Sequence, residues 1–258
     1  MRIIVFVKQV PDTDKVSVDG EGRLVRSGAP AVMDAYSECA LDMACGLAGD
    51  GDEVIAASMG PPGARAALLR CLELGAGEAF LICDPAFAGS DAHATATVLS
   101  AFAMEIAPGA DLILCGKQAS DGDTAEVPPE LAEKLGAPQF CYVEDIRIEG
   151  GSMLLVQNYG DELRACRHPL GALAVASVSK GGANRRLPSV SAYLRAAAME
   201  IKTVDAAALR LPEGAAGARG SKTRIASTMA SGAGRRGEAV DGSDPALAAS
   251  AILRGMAP

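Results

Sequence analysis

Short apolar runs alternate with longer stretches of helical periodicity over the first two-thirds of the chain. Buried strands are predicted for the runs at 2–10, 52–60, 78–84, 110–116 and 170–178. Helices are predicted for 34–49 (with Asp34 or Ser37 as N-cap), 63–77, 91–107 and 125–137. Hairpins are predicted at 15–26, about Asp19-Gly20, and at 139–158, about Gly150-Gly151. The alternation is typical of an α/β fold with a doubly wound, mostly parallel sheet, here expected in a flavodoxin-like topology.

The pattern changes after residue 183. Residues 184–204 read as a basic loop followed by a helix, and 209–245 are rich in Gly, Ala and Ser with little periodicity. A short amphipathic helix is predicted at 245–256. We therefore predict an α/β nucleotide-binding domain at 1–204 and an extended C-terminal arm at 205–258. A tail that cannot bury itself is either disordered or wraps a partner, and we favour the partner.

The charge, cysteine and histidine content of the chain argue against several classes of function. The 258 residues carry a net charge of −8, which argues against nucleic-acid binding because that needs a basic face. No apolar run is long enough to span a membrane and no signal-peptide pattern is evident, so a cytoplasmic location is expected. The seven cysteines are scattered and the two histidines lie far apart. No metal site and no catalytic constellation is predicted.

The segment "CGKQASDGDTAEVPPELAEKL" (115–135) joins a buried strand to a helix. In doubly wound sheets, ligands bind at such strand ends, and a helix N-terminus suits phosphate. Gly116 and Gly122 would let the backbone approach a ligand, and Thr124 would cap a helix beginning at Ala125. Acidic side chains in the loop would accept hydrogen bonds from ribose or brace the loop. A capped turn without a ligand is the alternative, and neither a P-loop nor a G-x-G-x-x-G unit is present.

The stretch "GKQASDGDTAEVPPELAEKLGAPQFCYV" (116–143) resembles the signature of the beta subunit of electron transfer flavoprotein. The resemblance extends to "IIVFVKQVPDTDKV" (3–16), "VMDAYSECAL" (32–41), "RRLPSVSAYLRA" (185–196) and "GSKTRI" (220–225). It also includes the central portion, residues 58–95, so it covers nearly the whole chain.

The resemblance implies a heterodimer with an alpha subunit that carries the redox-active FAD. Such a heterodimer carries electrons from dehydrogenases, typically of acyl-CoA, to a quinone reductase or another acceptor. The beta subunit holds AMP in the common branch and a second FAD in the bifurcating and nitrogen-fixation-type branch, which the form "DGDTA" resembles. Two alternatives are a stand-alone adenine-nucleotide-binding regulator on the same fold and an adenylate-activating hydrolase or ligase.

The resemblance also implies the contacting residues. The nucleotide is expected against Phe6, Lys8, Asp34, Tyr36, Ser37, Met59, Gln118, Ala119, Ser120, Asp121, Gly122, Asp123, Thr124, Ala125, Glu126 and Val127. A dehydrogenase partner is expected against Arg186, Val190 and Tyr193. No residue is assigned a catalytic or metal-binding role, because the flavin carries the chemistry.

The chain departs from the family pattern at several positions. Asp34-Ala35 replaces Asn-Pro, Glu126 replaces Gln, and Pro128 replaces Gly. The stretch 156–163 also lacks the Arg and Glu that the bifurcating branch tends to carry. The first two changes add negative charge, and the third removes a backbone donor near the expected phosphates. The hypothesis is a nucleotide that is bound differently or more weakly than usual, or absent, although Pro is tolerated in a first helical turn.

Overall fold

A computed structural model of the chain describes residues 1–12, 17–18, 24–25, 31–179, 186–224, 226, 240 and 243–255. The predicted turn at Asp19-Gly20 and the basic residue Arg185 lie outside these ranges. The helices are α1 (Ala35–Leu47), α2 (Arg65–Leu74), α3 (Ala92–Glu105), α4 (Val127–Leu135), α5 (Val190–Ala197), α6 (Gly217–Gly220) and α7 (Pro245–Gly255).

Nine of the strands form one sheet. The strands are β1 (Arg2–Phe6), β2 (Gln9–Pro11), β3 (Ser17–Val18), β4 (Leu24–Val25), β5 (Ala31–Met33), β6 (Glu53–Met59), β7 (Glu78–Ile82), β8 (Leu112–Gly116), β9 (Gln139–Glu149), β10 (Ser152–Asn158), β11 (Leu163–Pro169), β12 (Ala174–Val178) and β13 (Ile201–Val204). The order across the large sheet is β11-β10-β9-β12-β8-β1-β6-β7-β13, and only the β9-β10-β11 end is antiparallel. The predicted α/β class with a mostly parallel sheet is confirmed.

The winding direction reverses next to β1. The chain moves outward from β1 to β6 and then β7, and β8 returns to the other side of β1. A flavodoxin-like sheet instead places its third parallel strand on that other side, so the expected topology differs in this detail. In doubly wound sheets such a reversal leaves a crevice between the carboxyl ends of the two strands, which are β1 and β8 in this chain, and ligands bind there.

Alternation along the central strands builds two apolar layers. Ile3 and Val5 face the layer that contains α1 and α2, whereas Ile4 and Phe6 face the layer that contains α3 and α4. Both faces of β1 are therefore buried, which explains why the strand reads as a continuous apolar run. The two layers fix the sheet on which the strand-end loops stand.

Two strands of the large sheet differ from the sequence-based expectation. β11 is an edge strand whose side chains are mostly exposed, so no apolar alternation marks it, and its pairing with β10 forms it. The predicted helix within 184–204 ends at Ala197, and Ile201–Val204 forms β13 along the edge of β7. Pairing to an available sheet edge overrides local helical propensity there.

Contacts divide the chain into two units. One contains residues 1–16 and 26–224, and the other contains 17–25 and 225–258. In the second, β3 and β4 pair antiparallel and α7 follows later in the chain. Residues 205–224, expected in the arm, pack within the first unit and bury Leu209 and Ala216. That the later part of the arm wraps a partner remains a proposal.

Asp91 anchors the end of the first unit through hydrogen bonds to its carboxylate. Its carboxylate accepts from the backbone N–H groups of Ala94, Lys222 and Thr223 and from the Thr223 hydroxyl at 2.7 to 2.9 Å. Desolvation acts to raise the pKa of Asp91, but these donors together hold it well below its usual range. Its stabilising effect is therefore present above the unfolded pKa of about 4 and is lost as the pH falls further.

We expect Asp91→Asn to lower the thermal midpoint at pH 7 and to speed amide hydrogen exchange in residues 220–224. The difference in midpoint from the unsubstituted chain should narrow as the pH falls below about 4. Asp244→Asn is the control, because Asp244 accepts from Ala246 and Leu247 in the other unit. A midpoint difference that stays constant from pH 7 to pH 3 would contradict the prediction.

Candidate functional site

The crevice between β1 and β8 is built from three chain segments. The last residues paired between these strands are Phe6 and Cys115. The segment after β8 becomes the loop 117–126, and α1 begins beside it at Ala35. The structure thus brings together the predicted residues of β1, α1 and the loop, as the sequence indicates.

Asp34 connects α1 to the loop. It is 2% exposed and caps α1, with Oδ2 accepting from the backbone N–H groups of Tyr36 at 2.9 Å and Ser37 at 3.3 Å. Its Oδ1 accepts from the backbone N–H of Ser120 at 3.1 Å. All three partners are donors, so a carboxylate that only accepts is suited to this position. The acid at this position therefore has a local structural role.

Lys8 connects the end of β1 to both neighbouring segments. Its backbone N–H donates to Ser37 Oγ at 3.0 Å, and its carbonyl accepts from the Asp34 N–H at 2.8 Å. Its ammonium donates to Asp121 Oδ1 at 2.7 Å. The Lys8 charge is therefore compensated within the loop, and Asp121 braces the loop as the sequence suggested for its acidic residues.

The loop itself has unusual backbone angles. Asp123 and Ala125 have φ values of 54° and 57°, the left-handed region that side chains other than glycine rarely adopt. The Asp123 carboxylate accepts from the side-chain amide of Gln118. Among the described residues, no acceptor is bonded to the N–H groups of Thr124 and Ala125. Neighbouring donors of this kind suit an anion.

The start of α4 differs from the prediction. The helix begins at Val127 with Glu126 at the N-cap, so Thr124 does not cap a helix that begins at Ala125; its hydroxyl instead accepts from the Glu126 N–H at 3.4 Å. Pro128 and Pro129 remove two of the N–H groups that a first turn normally offers an anion. Pro128 is tolerated there, but α4 alone is a poor phosphate site.

The two glycines of the segment have different roles. A Cβ at Gly116 would lie 2.8 Å from Tyr36 Cβ and 2.9 Å from Ser37 N. The sequence suggested that Gly116 lets the backbone approach a ligand. In the structure, Gly116 instead permits the close approach of α1 to β8. Gly122 has open space where a Cβ would be, so the structure gives no steric requirement for glycine there.

The strand ends beside the crevice carry apolar side chains. Phe6 and Cys115 are buried side by side and face the α3–α4 layer, and Met59 packs partly buried against it. Burial raises the pKa of the Cys115 thiol to about 12, so the thiolate is not available as a nucleophile at neutral pH. Within the described part of the chain, no cluster of His, Cys, Asp and Glu is suited to hold a metal ion. The arrangement thus combines apolar side chains with backbone donors and has no thiolate nucleophile at Cys115.

Lys117 is a residue that the sequence reasoning missed. It follows Gly116 directly, and its ammonium lies 4.8 Å from the centre of the Tyr142 ring. Its place in the chain, immediately before the predicted loop residues, was the available signal. The ring partner lies 25 residues further on, in β9, and is visible only in the fold.

The expected partner-binding residues lie on another surface. α5 packs against α2 and buries Ala196, while Val190 and Tyr193 are 78% and 55% exposed. Arg186 lines a shallow groove beside Glu73 and Gly75. The structure thus leaves the apolar side chains of α5 accessible.

Comparison with known proteins identifies the family. The model of the electron transfer flavoprotein domain matches residues 22–209. This chain belongs to the electron transfer flavoprotein family. It is 35% identical to the electron transfer flavoprotein subunit beta of Thermoanaerobacterium thermosaccharolyticum over 247 residues, which cover 94% of this chain and 93% of that relative.

Two further relatives match part of the chain. It is 44% identical over 152 residues to the caffeyl-CoA reductase–Etf complex subunit CarD of Acetobacterium woodii, covering 58% of each chain. It is 40% identical over 173 residues to protein FixA of Azotobacter vinelandii, covering 60% of this chain and 62% of that one. The predicted resemblance to beta subunits, with these two proteins among the relatives, is confirmed. No described helix is long and apolar enough to cross a membrane.

Proposed function

We propose that this chain is the beta subunit of a heterodimeric electron transfer flavoprotein and that the crevice holds an adenine nucleotide, FAD or AMP. The observation that supports this most directly is the hydrogen-bonded connection of three segments at the point where the sheet reverses. Asp34 holds Ser120 of the loop against α1, and Lys8 holds Asp121 against β1. Nucleotides bind at such reversal points in doubly wound sheets.

The residues at the crevice fit an adenine nucleotide in general terms. The apolar side chains of Phe6, Met59 and Cys115 suit the planar adenine ring. The N–H groups of Thr124 and Ala125 suit a phosphate. These donors offset the two that Pro128 and Pro129 remove. We therefore favour a nucleotide held mainly by the loop rather than by the N-terminus of α4.

A bound FAD would supply the electron transfer, and the chain would bind and orient it. In this proposal an alpha subunit carries the redox-active flavin, and the heterodimer accepts electrons from dehydrogenases, typically of acyl-CoA. A quinone reductase or another acceptor would receive them. The exposed Val190 and Tyr193 on α5 provide an accessible apolar contact for the dehydrogenase.

The proposal predicts a defined nucleotide content. We would purify the chain with its alpha partner, denature the complex, and quantify FAD and AMP by chromatography and mass spectrometry. Two FAD per heterodimer would place a flavin in the beta site, and one FAD with one AMP would place AMP there. One FAD and no other nucleotide would refute a bound nucleotide in this crevice.

A substitution that adds negative charge tests whether the second nucleotide is bound in this crevice. Ser120→Glu places a carboxylate on the exposed loop, and we expect it to reduce the second nucleotide several-fold because it repels phosphate. Ser191→Glu adds the same charge at an exposed position on α5 and should leave the content unchanged. Equal losses in both variants would argue against this crevice as the site.

A further inference from the structure

A buried carboxylate on α1 lacks a direct partner. Asp42 is 5% exposed, and neither of its oxygens has a hydrogen-bond partner among the residues that the structure describes. Buried carboxylates are normally paired, because removing a charge from water is costly. Desolvation accordingly raises the pKa of Asp42, whereas the backbone N–H and the charge of Arg186 act to lower it. Stabilisation of the ionised carboxylate must then come from neighbouring cations.

Two arginines act on Asp42, and they differ in their own partners. Arg70 of α2 is already paired with Glu73 at 3.1 Å. Arg186 forms no ion pair with another described residue. Glu38 lies one turn before Asp42 on α1, and its charge opposes ionisation of Asp42. Of the two arginines, Arg186 is therefore the one whose charge is available to Asp42.

The Arg186 guanidinium lies beside the same face of α1. Its Nη2 atom is 3.4 Å from the position that a Cβ would take at Gly46. Gly46 follows Asp42 by four residues, and residues four apart are neighbours on one face of a helix. A side chain at position 46 would occupy the space next to the guanidinium. The glycine thus lets Arg186 lie close to the helix, one turn from Asp42.

The C-terminal turn of α1 also favours a cation at this place. The last carbonyl groups of a helix carry a partial negative charge, and a nearby cation stabilises them. α1 has no basic residue in its own last turn, to which Gly46 belongs. Arg186 supplies the missing positive charge from another segment of the chain.

The segment that follows Arg186 is largely exposed. Leu187 and Val190 are 86% and 78% exposed, and Ala196 is the buried residue of α5. The hydroxyl of Ser189 caps this helix. Two residues separate Arg186 from the cap, so holding Arg186 limits where the first turn of α5 can lie.

We propose that Arg186 is a positioning residue rather than a contact for a dehydrogenase: α1 holds its guanidinium through the charge of Asp42 and thereby fixes the start of α5. The inference rests on the proposed function, since it concerns the surface on which Val190 and Tyr193 would meet the dehydrogenase. It replaces the role that resemblance implies for Arg186, and it gives the buried Asp42 a role.

Amide hydrogen exchange of the full chain, without a dehydrogenase, separates the two roles of Arg186. We expect Arg186→Ala to speed exchange in residues 190–194 about tenfold, because the charge that fixes the start of α5 is lost. A residue that serves only to contact a dehydrogenase would leave this exchange unchanged. Arg195→Ala is the matched control, since Arg195 lines the same groove as Arg186 but does not act on Asp42. It should leave exchange in 190–194 as in the unsubstituted chain.

Two further variants test whether the charges act together. Asp42→Asn keeps the shape of the side chain and removes its charge, so exchange in 190–194 should rise as in Arg186→Ala. Combining the two substitutions should add little, because each already removes the same interaction. Arg186→Lys keeps the positive charge and should retain much of the protection.

The outcomes separate this inference from the proposed function. Unchanged exchange in Arg186→Ala, or an equal rise in Arg195→Ala, would overturn the positioning role of Arg186. Additive increases in the double variant would show that Asp42 and Arg186 act independently, and exchange in Arg186→Lys as fast as in Arg186→Ala would show that charge is not what holds the segment. The nucleotide content of the heterodimer decides the proposed function separately, so either can fail without the other.

Discussion

Replacing Gly116 with alanine is expected to destabilise the chain by about 1–3 kcal/mol and to abolish nucleotide retention. The added Cβ would lie 2.8 Å from Tyr36 Cβ and 2.9 Å from Ser37 N, which is closer than non-bonded atoms approach. Ser37 N and its neighbours belong to the first turn of α1. The steric overlap with the new Cβ can therefore be removed only by moving that turn away from β8. The movement would separate Asp34 from Ser120 and open the crevice.

Chemical denaturation and nucleotide analysis of the purified heterodimer measure the two effects. Gly122→Ala is the matched control, since it makes the same substitution six residues later in the same segment. Nothing lies within 4 Å of a Cβ at Gly122, and we expect a stability change within about 0.5 kcal/mol. Similar losses from the two substitutions would show that the approach of α1 to β8 is not what Gly116 provides.

Much of the fold follows from the sequence because double burial leaves a direct signal. The strands β1, β6, β7, β8 and β12 lie between two helical layers, so their residues are almost uniformly apolar. β11 and β13 lie at the sheet edges and expose many side chains, and pairing rather than composition decides their conformation. The strand order is likewise set by packing between distant segments.

For the candidate site, the sequence indicated which segments meet but not which side chains contact one another. The loop after β8 and the first turn of α1 could be named from resemblance and from strand-end position. The function of Gly116 could not, because it depends on how close α1 lies to β8. The contact of Lys117 with Tyr142 depends on the left-handed backbone of Tyr142 in an irregular part of β9. A tyrosine in the sequence does not indicate that conformation.

Replacing Asp34 with alanine is expected to cost about 2–3 kcal/mol, because three backbone N–H groups lose their acceptor. Asp34 is 2% exposed, so water replaces the lost acceptor poorly unless the structure opens. Two of these donors belong to the first turn of α1 and the third to Ser120 of the loop. The variant should therefore both shorten α1 from its N-terminus and release the loop, which amide hydrogen exchange of residues 35–38 and 118–124 would record.

Asp34→Asn distinguishes the two roles of this carboxylate. Asn caps helices about as well as Asp, so its oxygen can retain Tyr36 and Ser37. Its NH₂ group would then face the N–H of Ser120, donor against donor, and the loop contact would be lost. We expect exchange to rise in 118–124 but not in 35–38, with a smaller loss of stability than in Asp34→Ala. Unchanged exchange in 118–124 would mean that the bond to Ser120 does not hold the loop, and that Asp34 serves only to cap α1.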